Sequence, residues 1–499
     1  MSVEAFAVGA QTTSFEGQNT PDRLIPGLEK QPLTKITVSL DQLEPLARMT
    51  DVLVIPNKHI NASLAERDGD RFGRPFGRDA HKYIRDHAEA HKFSHNGFLK
   101  GPIVPAAINQ LSYQGLEDIP QWGIEKGKLF HEKGTVADGY PPQWFVDRDG
   151  IGKNSDARDT NPRALIAVDV ILQHEPRFLS QVLPYVLPML EWDIRDREKH
   201  GGLPTYTGAE FDPARSKTPD RKPTGLRNHR WTDNDFFVID ENGNIPKHPI
   251  TAVEIAALTW AASQRWADRL EDIRPELSKK LREGAYFLKD FFNKKFVFND
   301  SRGVYLADAL DADLNQIKTV TCNTAIVLSS NYGNDCIIKD EDLVEQIIKR
   351  QFDDLFDLRG GLKTTSPHSL IHPQNEYHGY KTIWPQVQSD ETHGLEVAAR
   401  RVDAKYPSMA AGRRNKALAE AEATLRPLYY SGTALELINI SDSGGYGDYL
   451  EYDSGGNVTG RACHVQAWSG SAARYSIDYL RSHGVSHVEV FENSNRLAA

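Results

Sequence analysis

Apolar residues recur at helical spacing in several segments of this chain, and this periodicity restricts the possible folds more than any other feature. In residues 251–271, apolar side chains fall at the i, i+3 and i+4 positions that share one face of a helix. Further segments with this spacing or a helix-favouring composition are 162–174, 281–292, 343–355, 411–426 and 467–480. Only the short run KITVSL at 35–40 resembles a strand. We therefore predict an all-α fold.

Long polar segments rich in Trp, Tyr, Asp, Asn and Gly separate the predicted helices. The clearest of these segments are 131–161, 201–250, 359–396 and 440–468. Long connections without secondary structure are uncommon unless they are functional. Four of them on a helical scaffold predict a binding cleft built from helix-connecting loops.

The composition excludes several classes of protein. The chain has 499 residues and a formal charge of −10, so nucleic-acid binding through a basic surface is not expected. The N-terminus lacks the features of a signal peptide, and the sequence has no apolar run of membrane-spanning length. Three cysteines without a CxxC pair indicate neither a disulfide framework nor a zinc site. We predict a cytoplasmic enzyme without a membrane partner. We expect an N-terminal extension at 1–50 and one catalytic domain at 51–499. The sequence does not predict an oligomeric state.

The sequence contains only incomplete versions of the motifs that bind common cofactors and metals. The GKN at 152–154 lacks the remainder of a P-loop, and the glycines at 444–447 lack the third glycine of a dinucleotide fingerprint. The His-Glu pair at 131–132 is not followed by the second histidine of a zinc-peptidase motif. We therefore expect no cofactor and no metal.

Carboxylates beside aromatic residues recur in the long loops. They occur in GRD (77–79), HE (131–132), DARDTNP (156–162), RWTDND (230–235), EYHGYKTIWP (376–385), ALEL (434–437) and QAWS (466–469). Aromatic faces stack on sugar rings, and carboxylates accept hydrogen bonds from sugar hydroxyls. Glycoside hydrolysis needs one protonated and one ionised carboxyl group, and a neighbouring aromatic ring helps to keep the acid protonated. Asp233 has such a neighbour in Trp231.

Structural roles are alternatives for each of these residues. Asp233 or Asp235 is compatible with a helix N-cap, and so is Asp159 before Pro162. Glu436 lies in an apolar run, as a surface residue of a strand or helix would. Trp384 and Trp468 are equally compatible with the hydrophobic core, and Arg78 with Asp79 is compatible with a local ion pair.

The motifs and their order resemble the amylo-α-1,6-glucosidase family, the glucosidase half of glycogen debranching enzymes. The resemblance runs from about Phe72 to about Leu480. It consists of PFGRD (75–79), GKLFHE (127–132), ARDTNP (157–162), GLRNHRWTDND (225–235), HPITAVEIAAL (248–258), GGLKTTSP (360–367), YHGYKTIWP (377–385), ALEL (434–437) and ACHVQAWS (462–469). No single motif is specific, but their common order is.

The resemblance implies an (α/α)6 barrel, with inner and outer layers of helices and long loops that form the active-site cleft. It also implies hydrolysis of an α-linked glucoside with inversion, most simply the α-1,6 bonds of glycogen-type or short branched glucans. Asp233 falls on the general acid and Glu436 on the general base. The other residues on family motifs, which we expect to bind substrate, are Arg78, Asp79, Glu132, Asp159, Trp231, Tyr377, His378, Trp384, Gln466 and Trp468.

The sequence also departs from the family pattern. Only about 70 residues precede the GRD motif, so we expect this chain to lack the β-rich region that often helps to hold polymer, which favours a shorter glucoside over glycogen itself. The Glu436 segment lacks the usual proline, and a Gly/Tyr/Asp-rich insert at 441–460 follows it, which makes Glu451 the alternative base. Two other functions remain compatible with the sequence: a barrel hydrolase of another small glycoside, and a carbohydrate-binding barrel without catalysis.

Overall fold

A computed structural model gives the fold, and it is rich in helix. The residues that it describes are 34–48, 82–83, 119–120, 129–131, 139–140, 158–208, 211, 227–232, 237–369, 378–432, 434–435, 437–440 and 467–492. The helices within them are α1 (Leu40–Ala47), α2 (Thr160–His174), α3 (Leu179–Lys199), α4 (Val253–Leu270), α5 (Pro275–Lys295), α6 (Asn323–Ser329), α7 (Glu341–Asp354), α8 (Pro385–Val402), α9 (Pro407–Ser431) and α10 (Ala467–Ser482), with a 3-10 turn at Pro176–Phe178.

The strands are short and mostly connect helices. They are β1 (Thr34–Ser39), β2 (Lys82–Tyr83), β3 (Ile119–Pro120), β4 (Leu129–His131), β5 (Gly139–Tyr140), β6 (Thr251–Ala252), β7 (Val297–Asp300), β8 (Gly303–Leu306), β9 (Ala309–Leu310), β10 (Gln316–Ile317), β11 (Asn331–Tyr332), β12 (Asp335–Cys336), β13 (Phe356–Asp357), β14 (Gly361–Leu362), β15 (Thr382–Ile383), β16 (Ile438–Asn439) and β17 (His487–Glu492). All the strand pairs in the described residues are antiparallel.

All six segments predicted to be helical, from apolar spacing or from composition, fall on helices to within two residues at their ends. In α4 every residue of the predicted stripe is buried, and the stripe of α5 from Leu281 to Phe292 is buried as well. Pro275 does not only interrupt the pattern: it begins α5 at the first helical turn, where its missing N–H costs no hydrogen bond. The segments predicted at 162–174, 343–355, 411–426 and 467–480 fall on α2, α7, α9 and α10.

Alternate helices pack on one another in chain order. Helix α2 contacts α4, α4 contacts α6, α6 contacts α8, and α8 contacts α10. Nearly all of α4 and α8 and every residue of α6 are buried, as expected for helices that have neighbours on all sides. We call these five helices the inner helices.

The intervening helices cover the inner ones. Helix α5 packs on α3 and α4, and α9 packs on α8 and α10. Helix α5 buries one stripe and exposes its remaining faces, which is the amphipathic pattern of a surface helix. Two layers of alternating helices are the arrangement that an (α/α) barrel requires. Closure into a six-fold barrel remains a prediction, because residues 51–157 are described only at four short strand segments.

The segment 34–48, which lies in the predicted N-terminal extension, packs against the C-terminal part of the chain. Strand β1 pairs with β17 over Thr34–Ser39 and His487–Glu492, and α1 contacts α9 and α10. Ser39 and Gln42 form a capping box at the start of α1. Because Val38, Leu40 and Leu43 join the main hydrophobic core, this segment belongs to the same packed unit as the helices.

The N-terminal ends of three inner helices are joined by short backbone pairings. Strand β6 leads directly into α4 and pairs with β9, which also pairs with β10. Before α6, the Cys322 N–H donates to the Thr364 carbonyl at 3.0 Å. The Thr364 N–H in turn donates to the Thr382 carbonyl at 2.8 Å, three residues before α8 begins. These ladders hold the loops at this end of the inner helices in one arrangement.

The secondary structure differs from the prediction in several places: helices α1, α3 and α6 were not predicted, and one predicted loop is shorter than expected. The predicted loop 359–396 ends at Trp384, because α8 begins at Pro385. Helix α8 buries polar side chains such as Gln388, Asp390 and Glu391 on its inner faces, so it has no apolar stripe to reveal it. Helix α3, which the prediction omitted, contains Pro184 and Pro188, residues that usually interrupt helices.

Candidate active site

The described residues among those predicted for the site lie at or near the N-terminal ends of the inner helices. Asp159 occupies the N-cap position of α2, Trp384 that of α8, and Trp468 is the second residue of α10. Trp231 and His378 lie in loops that contact these ends. The remaining predicted residues are outside the described ranges: Arg78, Asp79, Glu132, Asp233, Tyr377, Glu436 and Gln466, as well as the alternative base Glu451.

Trp384 is the centre of an aromatic cluster. Its ring stacks on His378 at a centroid distance of 4.8 Å and meets Trp231 edge-on at 5.7 Å and Trp468 at 5.9 Å. Trp231 also meets His378 edge-on at 5.4 Å, and Phe237 meets His378 at 6.0 Å. Four residues that the sequence predicted for the site, separated by up to 237 positions, are therefore brought together, with Phe237 as an additional member.

The aromatic cluster is buried. Trp231, Trp384 and Trp468 expose 4%, 2% and 8% of their surfaces, and all three belong to the main hydrophobic core. The alternative interpretation of Trp384 and Trp468, that they belong to the hydrophobic core, therefore describes how they pack. A buried tryptophan can still lie beneath a substrate pocket. Contact of Trp384 and Trp468 with substrate remains a prediction.

The chain on either side of each predicted catalytic carboxyl group is held in or beside this cluster. Trp231 immediately precedes Thr232, which is fully buried, and Phe237 follows after four residues. On the other segment, Leu435 and Leu437 are both buried, and β16 pairs with β15 directly before Trp384.

Asp159 lies at the N-terminus of α2 but does not cap it through its side chain. Its Oδ2 accepts instead from Arg163 Nε at 3.1 Å, and the carboxylate is fully buried. The preceding Arg158 N–H donates to the His229 carbonyl at 2.8 Å, which joins this helix end to the loop that contains Trp231. Asp159 thus occupies the N-cap position, as the capping alternative predicted, but its side chain does not form the capping hydrogen bond.

A buried ionic network, which the sequence analysis did not predict, supports the same loop. Arg230 donates through Nε and Nη2 to both oxygens of Glu254, at 2.6 and 2.5 Å. It also donates through Nη1 to Asp308 at 2.7 Å. Asn323 donates to Asp308 at 2.7 Å and accepts from Trp231 Nε1 at 2.7 Å. The available signal was Glu254, a lone charge in the apolar start of α4.

Burial and the neighbouring charges oppose one another in this network. Burial raises the pKa of Glu254 to about 7, although Arg230 acts to lower it. Burial alone would lower the pKa of Arg230, but Asp308 and Glu254 raise it above its usual value. Arg230 therefore stays charged, and the pKa of Glu254 lies above its usual value.

The described residues contain no group of three or more His, Cys, Asp or Glu side chains that could hold a metal ion. Cys322 and Cys336 are buried free thiols, and Cys463 lies outside the described ranges. Within the same described part of the chain, no helix has both the length and the apolar character needed to cross a membrane.

Comparisons with known proteins give distant structural likenesses. No family model matches the sequence, and no curated protein matches it. Neutral trehalase Nth1 from Saccharomyces cerevisiae is 12% identical with a TM-score of 0.44, covering 81% of this chain and 73% of the trehalase. A rhamnosidase from Klebsiella oxytoca with rhamnose bound is 13% identical with a TM-score of 0.49, covering 89% of this chain and 64% of the rhamnosidase. Since both TM-scores lie below 0.5, we interpret the site from its own residues.

Proposed function

We propose that this protein is an inverting glycoside hydrolase that cleaves α-linked glucosides, with the α-1,6 bonds of glycogen-type or short branched glucans as its substrate. Asp233 donates a proton to the leaving oxygen, and Glu436 activates the attacking water. One observation carries the proposal: the segments that bear these two carboxyl groups are both anchored beside Trp384, one through Trp231 and the other through the β15–β16 pairing.

The aromatic surroundings suit a general acid. Trp231, His378 and Trp384 are nearly fully buried, so a carboxyl group beside them loses hydration and its protonated form is favoured. The base must stay ionised on the opposite face of the sugar ring. In inverting enzymes the two carboxyl groups lie roughly 6.5–9.5 Å apart, which leaves room for a water molecule.

The remaining predicted residues would bind the sugar. Arg78, Asp79, Glu132 and Asp159 would hold its hydroxyl groups, with Tyr377 and the Trp384 cluster as the apolar boundary and Gln466 and Trp468 behind them. The proposed role of Asp159 as a sugar-binding carboxylate is supported by its position at the N-terminus of α2, where helix N–H groups and the helix dipole stabilise a carboxylate. No step of this mechanism uses a cofactor.

The direct test is glucose release from isomaltose, panose and a phosphorylase limit dextrin, with NMR detection of the anomer that forms first. Inversion predicts β-glucose. Asp233→Asn and Glu436→Gln should each lower kcat by at least about 10²-fold, the usual contribution of general acid–base catalysis. Glu451→Gln is the matched control and should retain activity.

Each alternative gives its own result in this assay. A loss of activity in Glu451→Gln but not in Glu436→Gln would transfer the base to Glu451. Release of another sugar from a wider glycoside panel would keep the hydrolase and change the substrate. Sugar binding measured by calorimetry without any product would indicate a binding protein and end the enzymatic proposal.

A further inference from the structure

The network around Arg230 joins three separate parts of the fold. Glu254 lies in the first turn of α4, Asp308 lies just before β9, and Asn323 is the first residue of α6. All three are at most 1% exposed. Asp308 Oδ1 also accepts from the Thr321 hydroxyl at 2.7 Å, so its oxygens together accept from three different side chains.

This network holds two consecutive residues of one loop. Arg230 is fixed by both carboxylates, and the indole of Trp231 donates to Asn323 Oδ1. The next residue is held through its backbone, because the Asn228 side chain donates to the Thr232 carbonyl. The chain is thus fixed in position up to the residue that precedes Asp233.

The network is more elaborate than stability alone requires. Burying ions costs hydration free energy, and well-packed apolar residues often stabilise a core as effectively. A fully connected polar network does, however, select one arrangement of the chain, because any displacement leaves a buried group unpaired. Asn323 is the critical link, since its one amide group joins the Trp231 indole to Asp308.

We infer that Asn323 and Asp308 are positioning residues, which act through Trp231 to set the direction in which the loop presents Asp233 to the leaving oxygen. This inference rests on the proposed function. It predicts a selective defect in general-acid catalysis when the link is broken, because a displacement of about 1 Å can reduce a rate by roughly 10²-fold.

The first measurement does not depend on any substrate. The protein contains eight tryptophans, so the ¹⁵N-indole NMR spectrum is simple, and Trp231→Phe assigns the Trp231 signal. Asn323→Leu should shift this signal and speed the exchange of its indole proton at least tenfold. Asn323→Ser, which is smaller and polar, serves if the leucine variant does not fold.

The second measurement compares two substrates. Isomaltose has a poor leaving group that needs the acid, whereas α-glucosyl fluoride releases fluoride with little need of protonation. Asn323→Leu should lower kcat on isomaltose by roughly 10–10²-fold and kcat on the fluoride by less than about threefold. Asp233→Asn should show the same selectivity more strongly.

Asp169→Asn is the matched control. Asp169 on α2 is buried and paired with Arg265 at 2.8 Å and with Arg269, but the Asp169 side-chain bonds do not involve the 227–232 loop. Breaking this pair should affect both substrates equally.

The outcomes separate the inference from the proposed function. If Asp233→Asn is selective but Asn323→Leu impairs both substrates equally, or leaves the indole signal unchanged, the positioning role is wrong and the acid assignment stands. If Asp233→Asn shows no selectivity, or the wild type acts on neither substrate, the acid assignment fails and the positioning role fails with it.

Discussion

We predict that Glu391 makes this fold less stable as the pH rises from about 4.5 to about 8. It lies on α8 and is fully buried, and its Oε2 accepts from Gln351 Nε2 on α7 at 3.0 Å. Burial raises its pKa to about 8; the Gln351 hydrogen bond and the charge of Lys416 act to lower it, and the charge of Asp390 acts to raise it. Glu391 is therefore mostly protonated in the folded protein at neutral pH.

The sign of the pH dependence follows from proton binding. An unfolded glutamate loses its proton near its usual pKa of 4.5, whereas the folded protein retains the proton until pH approaches 8. The contribution of Glu391 to stability is thus fully present below pH 4.5 and is lost as the pH rises through 8. At about 1.4 kcal/mol for each pH unit between these values, the loss is about 5 kcal/mol.

Glu391→Gln should remove this dependence. Glutamine has nearly the same shape as the protonated acid, keeps an oxygen that can accept from Gln351, and cannot ionise. Glu420, on the neighbouring α9, is also fully buried, and burial together with the charge of Glu391 raises its pKa well above the usual value. Removing the Glu391 charge should therefore also ease ionisation of Glu420.

The assay is thermal unfolding of the wild type and the variant between pH 5 and pH 9. A chain of this length gains roughly 1–2 °C in Tm for each kcal/mol. The two proteins should melt within about 2 °C of each other at pH 5, and the variant should melt roughly 5–10 °C higher at pH 9.

Glu283→Gln is the control for this measurement. Glu283 is an exposed glutamate on α5, so its replacement should leave the pH dependence of Tm as it is in the wild type. If the Glu391→Gln and wild-type melting curves run parallel from pH 5 to pH 9, Glu391 is ionised in the folded protein and the reasoning is refuted.

Two further predictions concern packing and backbone conformation. Phe292→Ala, at a fully buried position of α5, should cost about 3–5 kcal/mol, whereas Phe287→Ala on the exposed side of that helix should cost under about 1 kcal/mol; denaturant unfolding compares them. Gly361→Ala should destabilise by more than about 2 kcal/mol, because φ is +101° and a Cβ would lie 2.1 Å from Glu420 Oε1. Gly412→Ala, in open space within α9, should instead raise stability by about 0.5–1 kcal/mol, and equal effects at the two glycines would contradict the argument.

The sequence predicted helices well where one apolar stripe decides their packing. Helices α4 and α5 follow this rule, so their spacing alone located them. Helix α8 does not follow it, because Gln388 bonds to both backbone groups of Leu362 and Glu391 bonds to Gln351 across helices. Polar residues that satisfy one another inside a core look like surface residues in a sequence.

The site was predictable to a smaller extent. Trp231, His378, Trp384 and Trp468 were selected from motif resemblance, and the structure brings them together. The network beneath them was not selected, because its bonds join residues 78 and 92 positions apart, such as Arg230 to Asp308 and Trp231 to Asn323. Hydrogen bonds over such separations depend on the fold and leave no local pattern.

The apolar packing and the proposed chemistry involve different parts of this architecture. The apolar stripe of α5 stabilises the helix layers along their length, whereas Asp159, Glu254, Asn323 and Trp384 all lie at the N-terminal ends of inner helices. At these ends unpaired N–H groups and helix dipoles favour carboxylates, so buried acids cost less there than elsewhere in the core. Substitutions in the α5 stripe should therefore lower Tm without changing substrate preference. Substitutions in the network should lower Tm as well, because they leave a buried polar group unpaired, and should in addition change catalysis selectively.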